Sequence, residues 1–183
     1  MRARMATVLT LFIASLFFPL VPMASAELEE LGHAGRITEL EGSALGWWTM
    51  EGGNVLYASV QGDVIEYSVT DDIYTEVWSK STNKTLLSSA YNPEEKLIAF
   101  GTDLGAIVVS IEYRDVLYSV FVGQAVDGLT WDADGDLWLT KRTSKHAVEA
   151  TGSTPTGAST SNHNNGITDV IALSDGRIIT TGR

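Results

Sequence analysis

The sequence of 183 residues contains no cysteine. This absence excludes disulfide bonds, thiolate metal sites and cysteine nucleophiles. A chain without disulfides must be held together by burial of an apolar core. A stack of repeated units therefore fits the composition better than a small cross-linked scaffold.

Basic residues are also scarce. The chain has 12 Lys and Arg against 23 Asp and Glu, and its formal net charge is −11. So acidic a surface repels nucleic acid and anionic membranes, and we expect no nucleic-acid partner. The acidity is explained either by solubility, including solubility in a salt-rich habitat, or by an acidic face that binds cations.

Motifs of catalysis are missing as well. The sequence has no glycine-rich phosphate loop, no nucleophile elbow and no zinc-spaced ligand pair. Its three histidines, His33, His146 and His163, are far apart, and no two share a predicted strand. We read His33 as exposed in a linker and His163 as part of a solvated polar loop. The sequence therefore predicts no catalytic residue. Calcium is the one cofactor that it leaves as a candidate.

The first 26 residues have the pattern of a signal peptide. Arg2 and Arg4 precede an apolar stretch at 6–20, and Ala24-Ser25-Ala26 supplies the small residues of a cleavage site. A retained anchor would need about 18 apolar residues, so cleavage is the better interpretation. We expect an exported protein, located outside the cell, in a periplasm or on the outer face of the membrane. A polar lead-in follows at 27–42.

A turn followed by a short apolar strand recurs four times along the rest of the chain. The strands begin at Val55, Leu97, Leu137 and Ile178, at spacings of 42, 40 and 41 residues. A period of about 40 to 45 residues with four short strands per unit is that of a propeller blade. The predicted blades cover 43–78, 86–122, 125–161 and, in part, 167–183.

The blade prediction is most specific for blade one and for the outer part of blade three. Blade one is expected to have strands at Ser43–Thr49, Val55–Val60, Val64–Val69 and Tyr74–Trp78, joined by Gly, Asp and Asn turns. The segment Thr151–Asn165 is poor in apolar residues. We expect it to replace the outermost strand of blade three or to form a mobile loop there.

The second repeat, AYNPEEKLIAFGTDLGAIVVSI, resembles the WD-repeat consensus. Asn92-Pro93 and Asp103-Leu104-Gly105 stand where that family has its two turns. The Trp-Asp pair of the family is replaced by Tyr67-Ser68 and Ser110-Ile111, so its Asp/His/Ser/Trp hydrogen-bond network is not carried over. The third repeat, DGLTWDADGDLWLT, is similar to turns of sensor-type and lactonase-type propellers. The resemblance to WD-repeat propellers implies YVTN and quinoprotein-like propellers as near relatives.

We therefore predict an all-β fold, a β-propeller of four-stranded antiparallel blades, with about three and a half blades present. Closed propellers use 4 to 8 blades, so this count predicts an incomplete propeller. Either the chain is the N-terminal piece of a longer protein, or copies associate to complete a ring. Truncation is the simpler account.

Four aspartates are candidate metal ligands. Asp132, Asp134 and Asp136 place three carboxylates within five residues, which suits a hard cation such as calcium. Their glycine stands fourth rather than sixth as in an EF-hand loop, so a hairpin turn is the favoured interpretation. Asp127 resembles a position in lactonase-type propellers that is associated with metal binding.

Function follows from the resemblance more than from any motif. A WD-repeat-like propeller implies a scaffold that binds a protein or peptide partner. The alternatives are a metal-dependent propeller hydrolase, lactonase or lyase, and an extracytoplasmic sensor domain with a membrane anchor beyond Arg183. We expect membrane contact only through the signal segment or such an anchor, and self-association only if the chain is complete.

One modification motif is present. Asn83-Lys84-Thr85 is an N-glycosylation sequon in the polar link between blades one and two. In a bacterial host the sequon would be incidental.

Overall fold

A computed structural model describes residues 43–160 and 163–182. The predicted signal peptide, the lead-in and His33 lie outside the described residues. Regular structure within the described ranges is strand, apart from one 3-10 turn at Glu51–Gly53. No helix of this part of the chain is long and apolar enough to cross a membrane.

The strands pair with their sequence neighbours into three four-stranded antiparallel sheets and one two-stranded sheet. We call these sheets blades one to four. This arrangement confirms the predicted all-β fold of antiparallel blades, about three and a half in number. The strands are β1 (Ala44–Thr49), β2 (Val55–Ser59), β3 (Asp63–Thr70), β4 (Ile73–Ser81), β5 (Ser88–Asn92), β6 (Leu97–Gly101), β7 (Gly105–Ser110), β8 (Asp115–Phe121), β9 (Leu129–Trp131), β10 (Leu137–Thr140), β11 (Ala147–Thr151), β12 (Thr154–Ser159), β13 (Ile167–Ala172) and β14 (Ile178–Gly182).

The apolar core lies between the faces of successive blades. In β6, Ile98 and Phe100 pack with blade one, whereas Leu97 and Ala99 pack with blade three. Successive side chains of a strand point to opposite faces, so a strand covered on both faces needs apolar residues throughout. This explains why Leu97–Phe100 is an uninterrupted apolar run.

Hydrogen bonds at or beside the innermost strands fix blades two, three and four against one another. The Ser88 hydroxyl donates to the carbonyl of Val126 at 2.9 Å, and the Trp131 indole N–H donates to the carbonyl of Ala90 at 3.0 Å. The backbone N–H of Ala172 donates to the Thr130 hydroxyl at 3.2 Å. These bonds fix the relative positions of the turns at the ends of these strands.

The prediction for Thr151–Asn165 is wrong. This segment contains β12, which pairs with β11 and is the outermost strand of blade three. An edge strand pairs on one side only and needs little apolar burial, so threonines with high β propensity suffice. Pro155 is tolerated because a proline can occupy an edge strand.

Candidate functional site

In blades one, three and four a five-residue turn joins the first strand to the second, and in blade two the corresponding residues are 92–96, the first of which ends β5. We call these turns the inner turns. In blades one, three and four the first residue of the inner turn donates its backbone N–H to the carbonyl of the last, at 2.8 to 3.0 Å. The fourth residue is Gly53, Gly135 or Gly176, with φ of 83 to 85°. Glycine adopts this left-handed conformation without steric cost, so three separate segments build the same turn.

Asp132 is the residue that holds the inner turn of blade three. Its Oδ1 accepts the backbone N–H groups of Asp134 and Asp136, at 3.0 and 2.9 Å, and its Oδ2 accepts the Trp138 indole N–H at 2.9 Å. Asn92 does the same in blade two, where its Oδ1 accepts two backbone N–H groups at 3.1 and 3.2 Å. The hydrogen bonds of Asp132 are those of a hairpin turn, as the favoured interpretation of this segment requires.

Two of the four predicted metal candidates come together, and a residue that sequence reasoning missed joins them. Carboxylate oxygens of Asp132, Asp136 and Glu149 all lie within 4.8 Å of one another, and all three residues are half-buried. Glu149 lies in β11 directly opposite Trp138 in β10. Its place beside the two aspartates depends on the register of the β10–β11 hairpin, which the local sequence does not specify. Asp134 is outside this group.

Asp127 lies apart from the other three aspartates. It precedes β9, whereas Asp132 follows it, so the two are at opposite ends of that strand. The guanidinium of Arg142 donates to both carboxylate oxygens of Asp127, at 2.8 and 2.6 Å. This hydrogen bonding raises the pKa of Arg142. Asp127 therefore forms a bidentate ion pair with Arg142 in this structure.

The two described histidines are hydrogen-bonded. His163 Nε2 is 2.6 Å from the Thr180 hydroxyl of β14, and His146 Nδ1 is 3.0 Å from the carbonyl of Thr160. The interpretation of His163 as solvated loop polarity is therefore wrong, because its ring is half-buried against blade four. Its sequence neighbours are polar, and they gave no sign of this contact.

The inner turns of blades two, three and four surround a cleft of about 420 Å³. Four carboxylates lie in its lining, those of Glu94, Glu95, Asp132 and Asp134, together with the ring of Trp131. No lysine or arginine is among the described residues that line it. We call this site the acidic cleft.

The negative potential of this region acts on a neighbouring tyrosine. Burial raises the pKa of Tyr118 in β8, and the charges of Glu95 and Asp136 raise it further. Both effects disfavour the phenolate, burial by removing solvent and the carboxylates by repulsion. The carboxylates beside the acidic cleft thus produce a field that would favour a cation.

A second cleft between blades one and two has a different electrostatic character. Its lining includes the buried carboxylate of Glu66, which accepts a hydrogen bond from the Asn54 amide at 2.6 Å and lies 3.9 Å from the Arg114 guanidinium. Lys96 lies 3.9 Å from Glu51 in the same lining. Three acidic and two basic residues of the described chain line this cleft, so its excess of negative charge is much smaller than that of the acidic cleft.

Comparison with known proteins identifies the fold. No family model and no curated protein sequence matches the chain. Among solved structures, that of U3-55K matches with a TM-score of 0.64 and 16% identity, over 79% of this chain and 47% of that one. The WD40 repeats of RRP9 match with a TM-score of 0.64 and 15% identity, over 79% and 46%. The fold is that of a WD-repeat propeller.

A chain in the mitotic checkpoint complex also matches, with a TM-score of 0.57 and 16% identity, over 73% of this chain and 41% of that one. The chain thus spans about half the length of the solved chains that it matches. At this level of identity the likeness concerns the fold.

The chain differs from the WD-repeat consensus where that family has its Trp-Asp pair. Ser110-Ile111 stand at the end of β7, whereas Tyr67-Ser68 lie within β3, which continues to Thr70. Ser110 ends β7, and its hydroxyl accepts the backbone N–H of Tyr113 at 3.2 Å. The position therefore contributes to a local turn.

Proposed function

We propose that this protein is an exported, non-catalytic scaffold that binds a protein or peptide partner through the acidic cleft. The observation that carries the proposal is the lining of that cleft, where four carboxylates and Trp131 meet with no basic residue among them. Binding residues are often presented on turns that a rigid sheet scaffold holds in place. One structural neighbour is part of a protein assembly, the mitotic checkpoint complex, which supports a protein partner.

The chemistry of the cleft selects a basic segment of the partner. Lysine or arginine side chains would complement the carboxylates, and such complementarity directs both the encounter and the choice of partner. Trp131 is held in place by its hydrogen bond to the carbonyl of Ala90. Its ring is therefore preorganised for a cation–π contact, which contributes about 0.5 to 2 kcal/mol depending on exposure.

Export rests on the signal-peptide pattern of residues 1–26. Expression of the full chain in a secreting host, followed by N-terminal sequencing of the released protein, tests this part. We expect the released chain to begin at Glu27.

The binding proposal is tested with a fluorescent peptide of about ten residues, rich in lysine and arginine, and an acidic peptide of equal length as control. Fluorescence anisotropy measures the affinity. In the double variant Glu94→Gln, Asp134→Asn we expect the affinity for the basic peptide to fall about tenfold, because two of the four carboxylates of the cleft are neutralised. A tenfold fall corresponds to roughly 1.4 kcal/mol of binding free energy.

The matched control is Asp71→Asn, Asp72→Asn. It also removes two negative charges, but from an exposed turn between β3 and β4. Asparagine, like aspartate, accepts the φ values of 50 and 61° observed there. We expect this control to change the affinity less than twofold, roughly, since only net charge is altered. Equal losses in the two double variants would mean non-specific attraction, and no binding by the wild type would overturn the site.

A metal-dependent propeller hydrolase, lactonase or lyase is the second candidate, and the group formed by Asp132, Asp136 and Glu149 favours it. Oxygen ligands of this kind suit calcium. Calcium titration with thermal melting separates the candidates. Stabilisation by several degrees at micromolar calcium, abolished by Glu149→Gln, would support metal binding. No response would favour the scaffold.

A further inference from the structure

We propose that Asn83 is a site of N-linked glycosylation and that its glycan projects from the end of the blades opposite the acidic cleft. This inference rests on the export part of the proposed function, because the glycan is added in the export pathway. It does not rest on the identity of the partner.

The sequence offers one acceptor. Asn83-Lys84-Thr85 is the only Asn-x-Ser/Thr triplet in the chain whose middle residue is not proline. Any enzymatically removable N-glycan on this protein must therefore be attached to Asn83.

The structure places this triplet between two fixed points. On one side, the backbone N–H and the hydroxyl of Thr82 both donate to the carbonyl of Gly62, at 2.8 and 2.9 Å. On the other side, the backbone N–H of Leu86 donates to the carbonyl of Val60 at 2.9 Å, and the Leu86 side chain is fully buried. The three residues of the sequon between these points are exposed.

The backbone of Asn83 suits an acceptor at a turn. Its φ is 54°, in the left-handed region that asparagine adopts more readily than most residues. Neither the Asn83 amide nor the Thr85 hydroxyl donates a hydrogen bond to another described residue. A glycan could therefore be attached without breaking a native contact, and the folded blades would tolerate it.

The direction of the glycan follows from β5. This strand begins at Ser88, close to the sequon, and ends at Asn92 in the lining of the acidic cleft. Its five residues span roughly 13 Å at about 3.3 Å per residue. The glycan and the proposed binding site therefore lie at opposite ends of the strand, and one should not obstruct the other.

The test uses the full chain in a eukaryotic secretory cell line. The secreted wild-type protein should lose the mass of a single glycan on treatment with N-glycosidase. Asn83→Gln and Thr85→Ala should each abolish this loss, whereas Thr85→Ser, which keeps the hydroxyl, should retain it. Melting temperatures of the variants, which change only exposed side chains, should match that of the deglycosylated wild type.

The outcomes separate this inference from the proposed function. Secretion of wild-type protein without a glycosidase-sensitive mass, or a mass loss that persists in Asn83→Gln, overturns the glycosylation site alone. A chain retained in the cytosol overturns export and the glycan together, whatever the result of the peptide binding assay. If removal of the glycan changes affinity for the basic peptide more than about twofold, roughly 0.4 kcal/mol, the placement at the opposite end is wrong.

Discussion

At the scale of single residues, Asp132 and Asn92 show one position of the inner turn filled by two residue types. Both use Oδ1 to accept two backbone N–H groups, and Asp132 adds a bond from Trp138 through Oδ2. An amide can replace the carboxylate at Oδ1 but cannot accept at the other atom. The charge of Asp132 is therefore not required for the turn itself.

This comparison predicts the effect of two substitutions. Asp132→Ala should destabilise the protein by about 2 to 3 kcal/mol, since three hydrogen bonds are lost at roughly 1 kcal/mol each. Asp132→Asn should recover most of that, because it loses only the bond from Trp138. Urea unfolding measures both. If asparagine were as damaging as alanine, the negative charge would be the essential feature, which would favour a bound cation.

The candidate site was predictable only in part. Asp132 and Asp136 could be placed together because they are four residues apart in one turn. Glu149 could not, since its position depends on the register of β10 against β11 across a six-residue connection. A shift by one residue would move Glu149 to the other face of the sheet, and the local sequence does not specify that register.

At the scale of elements, β6 and β8 illustrate how position within a blade determines the role of an apolar residue. Phe100 of β6 is fully buried between blades one and two, in edge contact with the ring of Trp48 at 6.0 Å. Phe121 of β8 is 70% exposed. The same side chain is therefore core in one strand and surface in another.

Alanine substitutions should separate these two phenylalanines. Phe100→Ala should cost about 3 to 5 kcal/mol of unfolding free energy, the usual range for a buried aromatic residue. Phe121→Ala should change it by less than about 0.5 kcal/mol. Chemical denaturation of both variants checks this. A large loss for Phe121→Ala would show that its exposed ring is covered in the native protein.

Strand prediction succeeded for the strands of blade one and failed for the edge strand β12 of blade three. The four strands expected in blade one all formed, and β4 runs three residues further, to Ser81. Middle strands such as β6 and β7 carry long apolar runs because both their faces are covered, so composition reveals them. The edge strand β12 was missed because the backbone ladder, rather than side-chain burial, holds an edge in place.

An ion pair between outer strands gives a pH-dependent contribution. Lys80 of β4 donates to Asp115 of β8 at 2.7 Å, and this hydrogen bond, followed by one from the Val116 backbone and by the charge of Lys80, lowers the pKa of Asp115. A pKa lowered by folding stabilises the protein above the unfolded value, about 3.9 for aspartate. The contribution is lost as the pH falls through the folded value.

Asp115→Asn should therefore melt at a lower temperature than wild type at neutral pH, and the two should converge in acid. The difference should also shrink in high salt, since both side chains are substantially exposed. Asp71→Asn, at an exposed turn position with no ion pair within the described ranges, controls for the removal of one charge. A constant difference between Asp115→Asn and wild type across the pH range would contradict the assignment.

At the scale of the whole molecule, the blades form a series in which each packs mainly against its neighbours. One cluster of buried residues joins blades one and two, a second joins blades two and three, and a smaller third joins blades three and four. In such repeat architectures, stability is a sum of terms within each unit and between neighbours. Blades two and three each contribute to two of the clusters, but only blade two belongs to both of the larger ones, so it should be the most stable part.

Hydrogen exchange should reveal this gradient. Backbone amides of β6 and β7, whose residues are all buried, should exchange slowest, and those of the edge strands β12 and β14 should exchange fastest. Phe100→Ala, which weakens the contact between blades one and two, should speed exchange in those two blades more than in β13. Equal protection in β6 and β12, or a uniform response to the substitution, would show that the described blades open as one cooperative unit.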